Sequence, residues 1–195
     1  MTQDPHTRLI LASQSPRRRD LLEEAGVPFD VLPADIEEVT DPGLSPADNV
    51  TALAAAKARR VAEDRPGRFV LGADTIVVLD NEILGKPRDR EDARAMLSRL
   101  AGNTHHVITG FAIVTPEGRV LTEAVTSSVT MKPVTAATIE TYLDTGEPMD
   151  KAGAYAIQGQ GNALIAGYEG SYHNIVGLPV EEVLTQLRGA GLSIA

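Results

Sequence analysis

An aspartate lies inside the most apolar stretch of the chain: Asp74 interrupts residues 69–79, which are otherwise mostly Val, Leu and Ile. A buried, ionised carboxylate needs a cation, hydrogen-bond donors or a metal ion, because otherwise its pKa shifts until it is neutral. Asp74 is therefore half of a structural salt bridge, a metal ligand, or a general base that acts on water near a phosphorus centre. Glu38 could offer a second carboxylate, although its acidic surroundings are also typical of a solvated surface.

Two arginines stand at the start of a predicted helix, where Arg17 and Arg18 follow Ser15-Pro16. The first turn of a helix already carries a partial positive charge and unpaired N–H groups, so cations are unfavourable there unless they have a partner. Phosphates bind at such helix starts. The sequence leaves open an anion site around Ser13 and, as the alternative, pairing of the arginines with acidic residues of the same helix.

Lysine is rare, with four residues among the 18 basic side chains. Lys57 falls inside an alanine-rich predicted helix, and Lys86 lies in a Gly-Lys-Pro loop. Compact ammonium groups suit phosphate contacts, although either side chain could also be an ordinary surface lysine. Because the net charge is −9, a phosphorylated ligand would have to be attracted by a local cluster, within a screening length of about 10 Å.

The composition excludes several classes of function. The chain has no cysteine, which excludes disulfides, thiol nucleophiles and Cys-ligated zinc. The negative net charge disfavours binding to a nucleic-acid polymer. There is no apolar run long enough to span a bilayer, and the polar residues 1–7 do not resemble a secretory signal. We therefore expect a cytoplasmic protein without a membrane partner.

Familiar cofactor and metal motifs are incomplete. Gly85-Lys86-Pro87 lacks the Ser or Thr that follows the lysine of a P-loop, and residues 159–164 lack the third glycine of a dinucleotide fingerprint. A cofactor-dependent oxidoreductase is therefore the weakest hypothesis. His105 and His106 are adjacent, so in a strand they face opposite sides and cannot readily chelate one metal. We interpret all four histidines as structural or exposed.

The elements that must position these residues alternate between strands and helices. Capping residues, first-turn prolines and closing glycines predict helices over 15–26, 45–64, 89–100, 135–144 and 179–187. Apolar runs predict strands over 9–12 and 69–79, an extended segment over 27–38, a hairpin turn at Asp80-Asn81 and two strands within 104–132. No linker or repeat divides the chain, so residues 1–195 are expected to form a single mixed α/β domain.

The chain resembles the Maf-like family, also named septum formation inhibitor proteins, from about Arg8 to Leu187. The resemblance lies in Ser13-Gln14-Ser15-Pro16-Arg17-Arg18, Ala56-Lys57-Ala58, Gly72-Ala73-Asp74-Thr75, Gly85-Lys86-Pro87 and the segments 150–159 and 170–179. It implies an elongated α/β fold, in which a central twisted mixed sheet is flanked by helices and a cleft separates two lobes.

The resemblance also implies roles for particular residues. Asp74 would be the proton acceptor, and together with Glu38 it would bind a divalent cation, Mg²⁺ or Mn²⁺. Positions linked to base selectivity are matched by Arg17, Thr75 and Gln158. Positions near phosphate or metal are matched by Ser13, Arg18, Glu38, Lys57 and Lys86.

The implied reaction is the hydrolysis of a nucleoside triphosphate between its α- and β-phosphates, a house-cleaning activity that gives the monophosphate and pyrophosphate. Gln158 resembles the branch that acts on dTTP and UTP, because a neutral amide can pair with the donor and acceptor edge of a pyrimidine. The resemblance leaves open whether CTP and modified pyrimidine nucleotides are also substrates. The alternatives are a pyrophosphatase for 7-methyl-GTP or another modified nucleotide, and a non-catalytic regulator of septum formation. A homodimer is a family-level expectation.

Overall fold

The computed structural model describes residues 8–194. The predictions for the N-terminal segment 1–7, which includes His6, lie outside the described residues. The strands are β1 (Leu9–Leu11), β2 (Phe29–Val31), β3 (Val70–Leu79), β4 (Glu82–Leu84), β5 (Thr104–Val114), β6 (Val120–Met131) and β7 (Ile165–Glu169). The α-helices are α1 (Pro16–Glu24), α2 (Pro46–Asp64), α3 (Arg90–Leu100), α4 (Ala136–Leu143), α5 (Tyr172–Val176) and α6 (Val180–Gly189). Three 3₁₀ helices cover Glu147–Asp150, Ala152–Ala154 and Gly159–Leu164.

The strands form one mixed sheet in the order β2-β1-β3-β5-β6-β7, and β4 pairs with β3 outside this path. β1 lies parallel to β2 and β3, with Ile10 opposite both Asp30 and Val70. The pairs β3–β4 and β6–β7 are antiparallel. This confirms the mixed α/β class with helices flanking the sheet. The elongated shape and the cleft implied by the resemblance stay predictions.

The described residues form two compact units. Residues 8–74, 109–125 and 177–194 belong to the first unit, and residues 75–108 and 126–176 belong to the second. β3, β5 and β6 each contribute residues to both units. That the whole chain acts as a single domain stays a prediction.

Three of the five predicted helix starts are confirmed by capping contacts. The side chains of Ser45, Asp89 and Thr135 each accept a hydrogen bond from the backbone N–H three residues later, which satisfies a donor that the helix leaves unpaired. The hairpin turn is also confirmed, because Asp80 and Asn81 both have positive φ, at 50° and 66°, between the antiparallel β3 and β4. The extended segment 27–38 contains only the short strand β2, since β1 offers only three residues for pairing.

Helix α2 lies against the sheet at unusually short range. A Cβ atom at Gly72 on β3 would lie 2.3 Å from the carbonyl oxygen of Ala54, and one at Gly110 on β5 would lie 2.5 Å from the carbonyl carbon of Val50. The side chains of α2 that face the sheet include the alanines of a buried cluster, Ala54, Ala55 and Ala58. Small residues on both surfaces therefore allow the backbone of α2 to approach the centre of the first unit.

Where the described residues are concerned, no helix is both long enough and apolar enough to cross a membrane.

Candidate active site

A buried ion pair joins helix α2 to strand β3. Lys57 Nζ lies 2.7 Å from Asp74 Oδ1, and the two side chains are only 8% and 12% exposed. Alternate residues of a strand point to the same face. Gly72 and Asp74 therefore share the face of β3 that packs against α2, and the Asp74 side chain points toward that helix. The close approach of α2 at Gly72 thus brings Lys57 within reach of the carboxylate. This is the partner that the apolar surroundings of Asp74 require.

The same ammonium group binds a second carboxylate. Glu38 Oε1 lies 2.7 Å from Lys57 Nζ, and its side chain is 48% exposed. The two carboxylate oxygens are therefore separated by no more than the sum of two hydrogen-bond lengths. Glu38 belongs to a loop in which the residues 35 and 37–40 are exposed. Its contact with Lys57 distinguishes it from its acidic neighbours Asp35 and Glu37.

Arg18 lies in the same neighbourhood. Its Nη1 donates to Ser13 Oγ at 3.1 Å, and its Nε donates to the carbonyl oxygen of Gly177 at 2.8 Å. Burial lowers the pKa of Arg18 below its ordinary value, while the negative charge of Asp74 acts to raise it. An arginine remains charged under these conditions, so a fixed cation lies close to the buried carboxylate. Sequence reasoning missed the Gly177 carbonyl, since a backbone acceptor that lies 159 residues away leaves no sequence signal.

The start of α1 differs from the other helix starts. Ser15 occupies the predicted N-cap position, but its side chain makes no capping hydrogen bond, so the prediction that its hydroxyl caps the helix is wrong. The Ser15 N–H instead donates to Ser13 Oγ at 3.2 Å, because the serine loop folds back on itself. The first-turn N–H groups of α1 lack a side-chain cap, which is the arrangement that favours an anion.

Arg19, the residue that follows Arg18 in α1, pairs with acidic residues of the same helix, whereas Arg18 donates to Ser13 and to a backbone carbonyl. Arg19 approaches Asp20 at 3.4 Å and Glu23 at 3.8 Å on the exposed side of α1. Arg18 turns inward toward Ser13. The first unit thus contains a charged cluster, defined by three cations and two carboxylates: Arg17, Arg18, Lys57, Glu38 and Asp74. Its net charge is positive, although the whole chain is strongly negative.

The remaining predicted site residues belong to the second unit. Thr75 follows Asp74 directly in β3 and is half-buried, whereas Lys86 and Gln158 are exposed. The loop that carries Lys86 is held to the segment 152–154, because Gly153 N–H donates to the Gly85 carbonyl oxygen at 3.0 Å. Two of the segments that carry the family resemblance, residues 85–87 and 150–159, are therefore in contact. The structure brings together Ser13, Arg18, Glu38, Lys57 and Asp74; the approach of Lys86 and Gln158 to that group stays a prediction.

Gln158 lines a cavity of about 560 Å³ in the second unit, together with the exposed side chains of Tyr168 and Tyr172. Sequence reasoning missed these two aromatic residues. A signal was present, since all four tyrosines of the chain fall between positions 142 and 172. A concentration of aromatic side chains in one short segment indicates a core or a binding surface, and exposure distinguishes the two.

The carboxylate pair offers the kind of ligand atoms that a divalent cation takes when phosphate oxygens and water complete its shell. The described residues contain no cluster of three or more metal-ligating side chains. Mg²⁺ usually binds through one or two carboxylates, with phosphate oxygens and water completing its shell. Glu38 and Asp74, which share one ammonium group, are a donor set of this kind. In both carboxylates the ligand atoms are hard oxygens, as Mg²⁺ and Mn²⁺ prefer.

The chain is similar to known proteins over nearly its whole length. A sequence profile of the family described as Maf-like protein matches residues 8–190. A relative from Citrifermentans bemidjiense, named dTTP/UTP pyrophosphatase, is 51% identical over 187 residues, which cover 95% of this chain and 97% of the relative. A relative of the same name from Symbiobacterium thermophilum is 48% identical, with 96% of each chain covered. Among solved structures, a HAM1 protein from Coxiella burnetii shares the fold, with a TM-score of 0.54 at 16% identity over 93% of this chain and 98% of that chain.

Proposed function

Because the chain belongs to the Maf-like protein family, we propose that it is a nucleoside triphosphate pyrophosphatase that hydrolyses dTTP and UTP to the monophosphate and pyrophosphate. The observation that carries this proposal is the charged cluster, in which one buried ammonium group holds two carboxylates beside Arg18. The relatives that are about half identical to this chain bear the name of that activity. A positive cluster in a negative protein supports a polyphosphate as the ligand.

In the proposed reaction Asp74 accepts a proton from the attacking water. The water oxygen forms a bond to the α-phosphorus, the bond from the α-phosphorus to the bridging oxygen breaks, and pyrophosphate leaves. Lys57 holds the Asp74 carboxylate in place, because its Nζ donates a hydrogen bond of 2.7 Å to Asp74 Oδ1. A bound Mg²⁺ or Mn²⁺, held by Glu38 and Asp74, would supply charge neutralisation at the phosphate oxygens.

The other predicted residues would bind the substrate. Arg18 and Ser13, joined by a hydrogen bond, present a guanidinium and a hydroxyl beside the uncapped start of α1, a combination that suits phosphate oxygens. Lys86 would add a further phosphate contact. Arg17, Thr75 and Gln158 would set the preference for the base. The proposal places the protein in the cytoplasm, the compartment that holds nucleoside triphosphates, as one domain over residues 1–195 that can form a homodimer.

The test measures pyrophosphate release from dTTP, UTP, CTP, 7-methyl-GTP and the common purine triphosphates, with Mg²⁺ and with Mn²⁺. We expect dTTP and UTP to be cleaved fastest. Asp74→Asn should lower turnover by at least roughly 10²-fold, the smaller end of a general base contribution. Asp80→Asn is the matched control, because Asp80 is exposed at a hairpin turn where asparagine adopts positive φ readily.

The outcomes separate the hypotheses. Near-normal turnover of Asp74→Asn would contradict the role of this carboxylate. Cleavage of 7-methyl-GTP alone would retain the reaction and overturn the substrate. If no triphosphate is cleaved, a non-catalytic regulator becomes the better explanation.

A further inference from the structure

The cavity of the second unit is lined entirely by uncharged residues. They are Ile157, Gln158, Gly159, Asn162, Ile165, Ala166, Gly167, Tyr168 and Tyr172. Its volume of about 560 Å³ falls within the range of small-molecule sites. A phosphate group would gain nothing from such a lining, since desolvated phosphate needs cations or converging N–H groups. The chemistry of the lining indicates a neutral ligand.

The aromatic residues in the lining point to a planar ligand. The rings of Tyr168 and Tyr172 have centroids 5.8 Å apart and are tilted by 48°. They are 47% and 36% exposed, whereas Tyr142 and Tyr155 are buried. Burial of aromatic rings normally stabilises a folded chain, and neighbouring rings that stay exposed often mark a binding site. Exposed aromatic rings can stack on a planar heterocycle, because each face of the heterocycle carries π-electrons.

The amide groups in the lining point to a ligand with hydrogen-bonding edges. Gln158 and Asn162 are exposed and line the same cavity, and each amide offers both donors and an acceptor. The imide edge of thymine or uracil presents one N–H donor between two carbonyl acceptors, which amides can match. A 7-methylguanine base is cationic and donor-rich, and no carboxylate lines the cavity to receive it.

The backbone that carries Gln158 is fixed by a carboxylate. Glu147 accepts hydrogen bonds from the N–H groups of Gln160 and Gly161, both at 3.0 Å, and the Tyr142 hydroxyl donates to the same carboxylate at 2.9 Å. These bonds anchor the backbone just beyond Gln158 to the Glu147 carboxylate. Because this part of the cavity lining is ordered before a ligand binds, binding costs little conformational entropy. A preorganised lining also favours ligands that match its geometry.

We propose that this cavity is a nucleobase subsite for thymine or uracil, in which the more exposed Tyr168 stacks on the base, Tyr172 packs against the Tyr168 ring, and Asn162 joins Gln158 in contacting the edge of the base. The inference rests on the proposed function, because it assumes a nucleoside triphosphate substrate. It adds two tyrosines and an asparagine as selectivity residues.

The experiment uses the full chain labelled with 3-fluorotyrosine, whose four ¹⁹F resonances are assigned with single Tyr→Phe variants. Its ligands are dTMP, 2-deoxyribose 5-phosphate as the matched base-free probe, and 7-methyl-GMP as the cationic base. We expect dTMP to shift the resonances of Tyr168 and Tyr172 and to leave those of the buried Tyr142 and Tyr155 unchanged. The base-free and the cationic probes should produce much smaller shifts at equal concentration.

A kinetic measurement accompanies the spectra. Tyr168→Leu removes the ring and should raise KM for dTTP by roughly 5- to 150-fold, the range expected for one lost stacking contact. Tyr168→Phe keeps the ring and should stay within about 3-fold of the wild type. Inhibition by inorganic tripolyphosphate, which has no base, should be the same in all three proteins.

Several results would overturn the subsite. One is equal shifts with dTMP and with 2-deoxyribose 5-phosphate. Another is shifts that follow protein concentration alone, which would mean that a second copy of the chain covers the tyrosines. A third is an unchanged KM in Tyr168→Leu. If pyrophosphate is released while the tyrosines do not respond, the subsite fails and the proposed function stands. If the tyrosines respond to dTMP while no triphosphate is cleaved, the proposed function fails and base binding stands.

Discussion

At the scale of single residues, the sequence predicts that the buried Asp74 needs a cationic or metal partner, but it does not identify that partner as Lys57. The position of Asp74 in an apolar stretch predicts a buried carboxylate that must be compensated, and the structure confirms both points. The rarity of lysine and the family resemblance of residues 56–58 mark Lys57 in the sequence, but neither links it to Asp74. Its pairing with Asp74 depends on how α2 packs against β3, and no local pattern encodes that contact. The role of the exposed Glu38 is equally ambiguous in the sequence, because its contact with Lys57 also depends on tertiary packing.

His105 illustrates a buried titratable group with a structural role, as the sequence predicts. It is completely buried, and a hydrogen bond of 2.6 Å joins its Nε2 to the Tyr155 hydroxyl. Burial, with a smaller effect of His106, lowers its pKa from 6.5 to about 4. The folded state therefore holds the neutral form over a range in which the unfolded chain binds a proton.

This pKa shift predicts how stability depends on pH. The contribution of His105 is complete above pH 6.5, the unfolded pKa, and is lost as the pH falls toward about 4. Between pH 7.5 and pH 5 the free energy of unfolding should fall by about 2 kcal/mol more in the wild type than in His105→Gln. Urea denaturation at the two pH values measures this difference. His106→Gln, which changes the exposed neighbour, should behave like the wild type; equal losses in all three proteins would remove His105 as the cause.

At the scale of elements, helix starts were predictable because capping is local. Ser45, Asp89 and Thr135 lie in sequence beside the N–H groups that they satisfy. The short strand β7 was not predicted, since it exists by pairing with β6 and not by its own alternation. The 3₁₀ helices between 147 and 164 were also missed. Their turns depend on contacts such as those of Glu147, which lies 13 residues before Gln160.

The approach of α2 to β3 makes a prediction at this scale. A methyl group at Gly72 would overlap the Ala54 carbonyl oxygen at 2.3 Å and the Ala58 nitrogen at 2.8 Å, so α2 would have to move. Gly72→Ala should lower the free energy of unfolding by about 3 kcal/mol. Turnover of the folded protein should also fall, because Lys57 moves with α2 away from Asp74.

The matched control for this substitution is Gly189→Ala, at the end of α6, where an added Cβ meets no atom within 4 Å. It should leave stability unchanged or raise it slightly, since alanine favours a helix more than glycine does. Thermal denaturation and dTTP turnover are measured on both variants. A Gly72→Ala protein as stable and active as the control would show that α2 is not held where the geometry places it.

At the scale of the whole molecule, composition predicted the class of fold and the absence of thiol chemistry, but not the division into two compact units. That division follows long-range contacts, and no linker in the sequence marks it. The three strands β3, β5 and β6 run through both units. Unfolding one unit would remove the pairing partners of strands that continue into the other. We therefore expect a single cooperative transition, as the single-domain proposal requires.

The tyrosines make this expectation measurable. The chain has no tryptophan, and its four tyrosines all belong to the second unit, so tyrosine fluorescence reports on that unit alone. Far-UV circular dichroism reports on helices of both units, including the long α2 of the first. In urea the two signals should share one midpoint, and Gly72→Ala, a change in the first unit, should lower both midpoints equally. If the variant lowers the midpoint by circular dichroism and leaves the tyrosine midpoint in place, the two units unfold independently and the chain is two domains, because a cooperative unit cannot lose stability in one part only.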